Sequence, residues 1–190
     1  MSDAVLSRIR ALLATPRGRE ATYTPRPCLT EQNLQAWESK HEVTLPDEYR
    51  VFLREIGNGG KMPGSYCDFE IEPLAKVKGV SSAATSFPVT MARFRKRFRQ
   101  LKIEGRPDDG VLFPELEAFW EDGPPPGCLV FGQYPSSDAL FLVTAGDLCG
   151  SVWCGVCYGI PETGRAHKPV GFLTWFADVL TELLDEPSAE

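Results

Sequence analysis

The stretch LPDEYRVFLREIGNGG, residues 45–60, constrains the fold of this chain more than any other part of it. Pro46 suits the first position of a helix, which needs no N–H donor, and the acidic residues that follow it favour a helix N-terminus. Apolar side chains then recur at positions i, i+3, i+4 and i+7, which predicts one buried helix face made of Tyr49, Phe52, Leu53 and Ile56.

Glycine marks the end of this helix. Gly57 is predicted to be a left-handed C-terminal stop, after which Asn58-Gly59-Gly60 turns the chain. GNGGKM has a superficial likeness to a phosphate-binding P-loop, but that motif has Gly where Glu55 stands, Ser or Thr where Met62 stands, and a helix after it. Because these glycines follow a helix, the nearby end of its dipole is negative and repels phosphate. We therefore expect no nucleotide site here.

The remaining pattern predicts an α+β fold. Apolar periodicity indicates further helices at 3–14, after the cap Thr30 to about His41, at 85–102 with Phe87 inward, and at 171–184. Alternation indicates a strand at 67–74, and turn residues separate three further strands at 128–132, 139–144 and 151–158, which form an antiparallel meander. The predicted organisation is an N-terminal helix and connecting arm at 1–29, followed by a single domain at 30–184 with an elaboration at 103–127.

The composition of the chain indicates which classes of partner and which cellular compartment to expect. The 190-residue chain has a net charge of −6, which argues against a general nucleic-acid binder. No run of 18 apolar residues occurs, and the N-terminus carries charges throughout, so neither a membrane span nor a signal peptide is expected. We expect a cytoplasmic protein whose six cysteines are mostly reduced thiols.

Four residues match the ligand types of a zinc site: Cys149, Cys154, Cys157 and His167. One Cys-x-x-Cys pair with irregular partner spacing is not specific for zinc, and a redox dithiol or buried thiols are alternatives. On a regular strand, residues 154 and 157 point to opposite faces and could not chelate one ion. Buried thiols are the favoured interpretation, and no metal or cofactor is expected.

The sequence contains no motif typical of a catalytic site. There are only two histidines, and no nucleophile elbow, His-Glu-x-x-His or kinase-type set occurs. His41 falls at a helix end, where a cation offsets the dipole. Glu70 and Glu72 share one face of a predicted strand, as charged residues on a wet face routinely do. We expect no catalytic and no cofactor-binding residue.

The region after residue 90 contains a concentrated basic stretch. Arg93 to Lys102 carries six positive charges and no negative one, which leaves −12 on the rest of the chain. A solvated helix face is the default interpretation, and docking onto an acidic partner or RNA is the sharper one. The acidic remainder and the lack of an interleaved aromatic platform weigh against RNA. Phe119 and Trp120 are either binding anchors or the inner face of a short helix.

The opening stretch resembles the N-terminal motif of the SUKH superfamily, named partly after the Smi and Knr regulators of yeast cell-wall synthesis. The matching positions are Leu45, Pro46, Tyr49, Phe52, Leu53, Asn58, Gly59 and Gly60. Three later segments are similar more loosely: GCLVFGQYPSSDALFLV, GSVWCG and KPVGFLTWFADVLTELL. The resemblance implies helices packed against one mainly antiparallel, curved sheet, with the motif positions in structural roles.

The resemblance also implies a function. Many bacterial members are immunity proteins that bind and neutralise toxins, often nucleases or deaminases, without catalytic residues of their own. The expected partner is therefore a toxin protein, for which a basic nuclease or deaminase is a candidate. A regulatory or scaffold protein of the Smi/Knr type without a toxin partner is the alternative, and a metal- or thiol-dependent enzyme is a third. Neither the interface residues nor the oligomeric state transfers.

Overall fold

The computed structural model describes residues 2–15, 23–62, 69–78, 85–104, 113, 116, 119, 124–133, 139–154, 160–161 and 169–185. The helices in these ranges are α1 (Ser2–Ala14), α2 (Glu31–His41), α3 (Asp47–Glu55), α4 (Met91–Glu104) and α5 (Phe172–Asp185). The strands are β1 (Thr24–Pro25), β2 (Gly60–Met62), β3 (Phe69–Ile71), β4 (Cys128–Gln133), β5 (Ala139–Val143), β6 (Val152–Cys154) and β7 (Ile160–Pro161). None of these helices is long and apolar enough to cross a membrane.

The strands form one open sheet in chain order, from β1 at one edge to β7 at the other. Every neighbouring pair is antiparallel. The register between β4 and β5 shifts between Val130 and Gly132, an irregularity that bends a strand and increases its twist. The predicted α+β fold is confirmed, and so is the antiparallel arrangement of β4, β5 and β6.

The two faces of the sheet are both covered. Alternate residues of β5 divide between them, because successive strand side chains point to opposite sides. Leu140 and Leu142 join a large core with residues of α1, α3 and α5, whereas Phe141 and Val143 join a second core. The other buried members of the second core are Phe87, Val89, Phe94, Phe113, Leu116, Cys128, Leu148 and Trp153.

Helix α3 carries the predicted buried face, with one correction at each end. Tyr49, Phe52 and Leu53 have no exposed surface, and Ile56 is 8% exposed. Pro46 is the N-cap with extended backbone, and the helix begins one residue later than predicted. Gly57 does not adopt the predicted left-handed conformation, and its amide bonds the Phe52 carbonyl at 3.0 Å.

The left-handed residue is Gly59, with φ of 74°. Gly57 is needed for a different reason: a Cβ there would lie 2.8 Å from the Cβ of Pro25. The strand β1 that brings Pro25 so close lies within the stretch predicted to be a connecting arm. Its two residues pair with β2, so the arm extends the sheet by one strand.

Two other boundaries differ from the sequence predictions. Helix α4 begins at Met91 instead of 85, because Thr90 accepts the first intrahelical bond from Phe94 at 2.9 Å. Phe87 is buried as predicted, but it lies in the segment before the helix. Strand β3 ends at Ile71 instead of 74, since Pro73 then starts a 3₁₀ turn at Leu74–Lys76, and residues 67 and 68 of the predicted strand lie outside the described residues.

Candidate functional site

The Asn58-Gly59-Gly60 turn is filled by the segment around β1. The phenol of Tyr23 donates a hydrogen bond to the Gly59 carbonyl at 2.9 Å, and the Arg26 amide donates to the same oxygen at 3.0 Å. A Cβ on Gly60 would lie 2.4 Å from the Thr24 carbonyl oxygen. The glycines therefore allow close approach of two backbone segments, and the turn is occupied by the chain itself.

The Leu45-Pro46 step is held by an ionic network between α2 and α3. The Leu45 amide donates to a Glu38 carboxylate oxygen at 2.8 Å. Arg50 pairs with Glu38 and with Glu31. Arg54 also pairs with Glu31 at 2.9 Å. The hydrogen bond from Arg54, together with the charge of Arg50, lowers the pKa of the Glu31 carboxyl. These contacts position the start of α3 relative to α2.

Glu48 has a role that the sequence did not indicate. Its Oε2 atom accepts a hydrogen bond at 3.0 Å from the amide of Leu173, in the first turn of α5. A carboxylate at this position suits the positive end of the α5 dipole. A Cβ on Gly171 would lie 2.3 Å from that Oε2 atom, so glycine is required for the carboxylate to reach the amide. No local sequence pattern can indicate this contact, because the two residues lie 125 positions apart in the chain.

An open cleft of about 380 Å³ lies beside the start of α3. Its other walls are the β5–β6 turn at 147–150, the segment 169–171 before α5, and Met91. The turn is fixed by its own bonds, since the Ser151 hydroxyl donates to the Leu148 carbonyl at 2.6 Å. This cleft is the candidate functional site, because three elements distant in sequence converge on it.

The cleft is anionic. Asp47, Glu48 and Asp147 line it, and none of the described residues that line it is Lys, Arg or His. Asp47 and Asp147 are exposed, so their charges face solvent at the opening. Burial, aided by the nearby Asp47 carboxylate, raises the pKa of the Cys149 thiol. A Lys or Arg side chain of a partner has the charge that this cleft accepts.

The structure describes two of the four candidate zinc ligands, Cys149 and Cys154. Cys149 lies in the β5–β6 turn and its thiol donates to the Thr144 carbonyl at 3.3 Å, whereas Cys154 ends β6 and packs against the large core. Cys157 and His167 lie outside the described residues. Within the described ranges, no group of three or more His, Cys, Asp or Glu side chains could hold a metal ion, and this includes the carboxylates of the cleft.

The sequence model of the SMI1/KNR4 family (SUKH-1) matches residues 28–186, most of the chain. The chain belongs to this family. The match spans α2 through α5 and leaves out α1 and β1. The resemblance carried by the Leu45–Gly60 motif is thereby confirmed. No curated protein shows a significant match to the chain.

Within this SUKH-1 fold, Glu70 and His41 have structural contacts, whereas the Oε2 atom of Glu72 is buried without a hydrogen-bond partner among the described residues. Glu70 pairs with Arg26, which also donates to the Ile71 carbonyl at 3.1 Å. The His41 ring lies against Trp37 in the last turn of α2, with ring centroids 4.4 Å apart. Phe119 is half-buried, and Trp120 lies outside the described residues.

Proposed function

We propose that this protein is a non-catalytic binding protein of the immunity type, which neutralises a cognate toxin by direct contact in the cytoplasm. The observation that carries the proposal is the anionic cleft formed by Asp47, Glu48 and Asp147 beside the family motif. A basic nuclease or deaminase is the class of toxin that this surface fits by charge. Family membership supports a binding domain of this kind.

The net negative charge of the chain also favours a basic toxin as the partner. Complementary charge speeds encounter between two proteins and suppresses wrong partners more than it adds raw affinity. A chain with a net charge of −6 attracts a basic toxin over distances of about one Debye length, roughly 8 Å at physiological salt. The cleft then supplies a localised anionic contact within this general field.

The alternative is a regulatory or scaffold module of the Smi/Knr type without a toxin. The same cleft supports it, because regulatory partners also present basic segments. Co-expression separates the two. The proposal expects the chain to rescue cells from the toxin encoded beside it and to be recovered in a complex with that toxin. No rescue together with no complex would leave the regulatory alternative.

A matched pair of variants tests the cleft itself. Asp47→Lys with Asp147→Lys reverses two exposed charges at its opening, and Glu42→Lys with Glu182→Lys reverses two exposed charges elsewhere. We expect the cleft variant to bind the toxin at least about tenfold more weakly by calorimetry, because like charges would then face each other. Equal weakening in the control would mean that net charge acts without the cleft.

A further inference from the structure

Helix α4 divides sharply into an apolar and a basic face. Phe94 is 2% exposed and stacks on Phe98 and Phe113, with ring centroids 5.5 and 6.2 Å apart. These rings attach the helix to the second core. On its other faces the helix exposes Arg93, Arg95, Lys96 and Arg99.

The basic face differs from the other arginine sites of the molecule. In the described ranges, all five arginines outside α4 pair with a carboxylate: Arg8, Arg10, Arg26, Arg50 and Arg54. Across the same ranges, Arg95, Lys96 and Arg99 belong to none of the ion pairs. Among the described residues, the arginines outside α4 are thus neutralised, whereas Arg95, Lys96 and Arg99 are exposed and belong to no ion pair.

This arrangement works against the helix. Residues three or four apart are neighbours on a helix surface, and like charges at that spacing are destabilising. Arg95 with Arg99, and Lys96 with Arg99, are such pairs. Attachment to the second core requires only the phenylalanine face, so packing does not account for the cations. An anionic surface laid along the helix would relieve their repulsion.

We propose that the face formed by Arg95, Lys96 and Arg99, the α4 basic face, is a second docking surface, which binds an acidic patch on a partner protein. It goes beyond the proposed function, because it neither requires a toxin nor uses the anionic cleft. A helix of 14 residues is about 21 Å long, a size that a compact acidic patch can match.

A protein fits this face better than a nucleic acid does. Single-stranded nucleic acids are held by aromatic platforms as well as cations, and Phe94 and Phe98 of α4 turn toward the core. A long polyanion would also run beyond the helix onto a remainder that carries −12. An acidic patch on a folded protein ends where the basic face ends and avoids that repulsion.

Two anionic probes of equal net charge test the proposal: a labelled oligo-glutamate peptide and a labelled oligouridylate, titrated by fluorescence anisotropy at low salt. One variant replaces Arg95, Lys96 and Arg99 with Glu. Its control replaces Lys40, Lys61 and Lys76 with Glu, which are exposed in other elements and give the same change in net charge. A third variant places Gln at the α4 positions, which retains helix propensity.

We expect the wild type and the control to bind the peptide, and both α4 variants to bind it at least about tenfold more weakly while melting as cooperatively as the wild type. The cleft variant Asp47→Lys/Asp147→Lys should keep peptide binding, which separates this surface from the proposed function. The proposal is overturned if the wild type binds no peptide, if the control loses as much as the α4 variants, or if the oligouridylate binds more tightly than the peptide.

Discussion

The phenol of Tyr23 donates a hydrogen bond to the carbonyl oxygen of Gly59 across 2.9 Å, and so joins the segment before β1 to the glycine turn after α3. Tyr23 is 7% exposed and its ring packs edge-on against Phe176 of α5, with centroids 5.2 Å apart. The N-terminal segment, which precedes the start of the family match, therefore completes both the turn and the core.

The same substitution at two tyrosines should have different effects on stability. Tyr23→Phe removes the bond to Gly59 and should lower the free energy of unfolding by about 0.5–1.5 kcal/mol. The Tyr49 hydroxyl is buried and has no hydrogen-bond partner in the described structure. Tyr49→Phe should therefore leave stability unchanged or raise it, because an unpaired buried polar group is removed. Urea denaturation of both variants measures the two free energies of unfolding. A larger loss of stability in Tyr49→Phe than in Tyr23→Phe would mean that the Tyr49 hydroxyl makes a hydrogen bond in the folded protein.

Gly59 and Gly146 provide a matched test of the glycine turn, since both have positive φ. A Cβ on Gly59 would lie 2.4 Å from the Ile71 carbonyl oxygen, whereas on Gly146 the nearest atom would be 3.5 Å away. Gly146→Ala should cost about 1–2 kcal/mol of backbone strain. Gly59→Ala should add about 1–3 kcal/mol of overpacking to that strain. Equal losses in denaturant unfolding would show that the turn has room for a side chain.

Phe52 is the centre of the aromatic core between α3 and α5. It is fully buried, and its ring centroid lies 4.9 Å from that of Phe172 and 5.0 Å from that of Phe176. Phe52→Ala should cost about 3–5 kcal/mol, the usual range for a buried aromatic. Val51→Ala, on the half-buried side of the same helix, should cost clearly less. A loss below about 1 kcal/mol at Phe52 would mean that this face is not the core.

The core face of α3 was predictable because its pattern is local. Tyr49, Phe52 and Leu53 repeat with the period of a single helix, and any sheet packed on that helix buries them. The role of Gly57 was not predictable, because it depends on how close Pro25 comes when β1 joins the sheet. The helix-stop argument correctly identified Gly57 as a position that needs glycine, but the reason is the close approach of Pro25 and not a left-handed backbone.

The candidate site was hidden for the same reason. Asp47 and Glu48 have the appearance of ordinary first-turn residues, and only the fold brings them beside Asp147 and the start of α5. The covered second face was also missed. Phe141 and Trp153 fall within predicted strands, but the segments that bury them, around Phe94 and Phe113, carried no signal of where they pack.

Three buried neutral acids predict a loss of stability at alkaline pH. Burial raises the pKa of the Cys128 thiol and of the Tyr23 and Tyr49 phenols. The folded state therefore holds these protons more tightly than the unfolded chain does. Their contribution to stability is complete below the unfolded pKa values, about 8.5 for Cys and 10 for Tyr, and is lost as the pH rises above them.

Each such group should lower the free energy of unfolding by up to about 1.4 kcal/mol per pH unit above its unfolded pKa. Urea unfolding under reducing conditions, repeated from neutral pH upward, measures that slope. Cys128→Ala should remove the part that begins near pH 8.5, whereas Tyr23→Phe and Tyr49→Phe should each remove a share of the part that begins near pH 10, so that the onsets separate the thiol from the two phenols. Cys128 is 1% exposed, and its thiol donates a hydrogen bond to the Pro125 carbonyl at 2.8 Å. Water can therefore solvate a thiolate at this position only when the protein opens locally. An unchanged slope in Cys128→Ala would show that this thiol ionises within the folded protein.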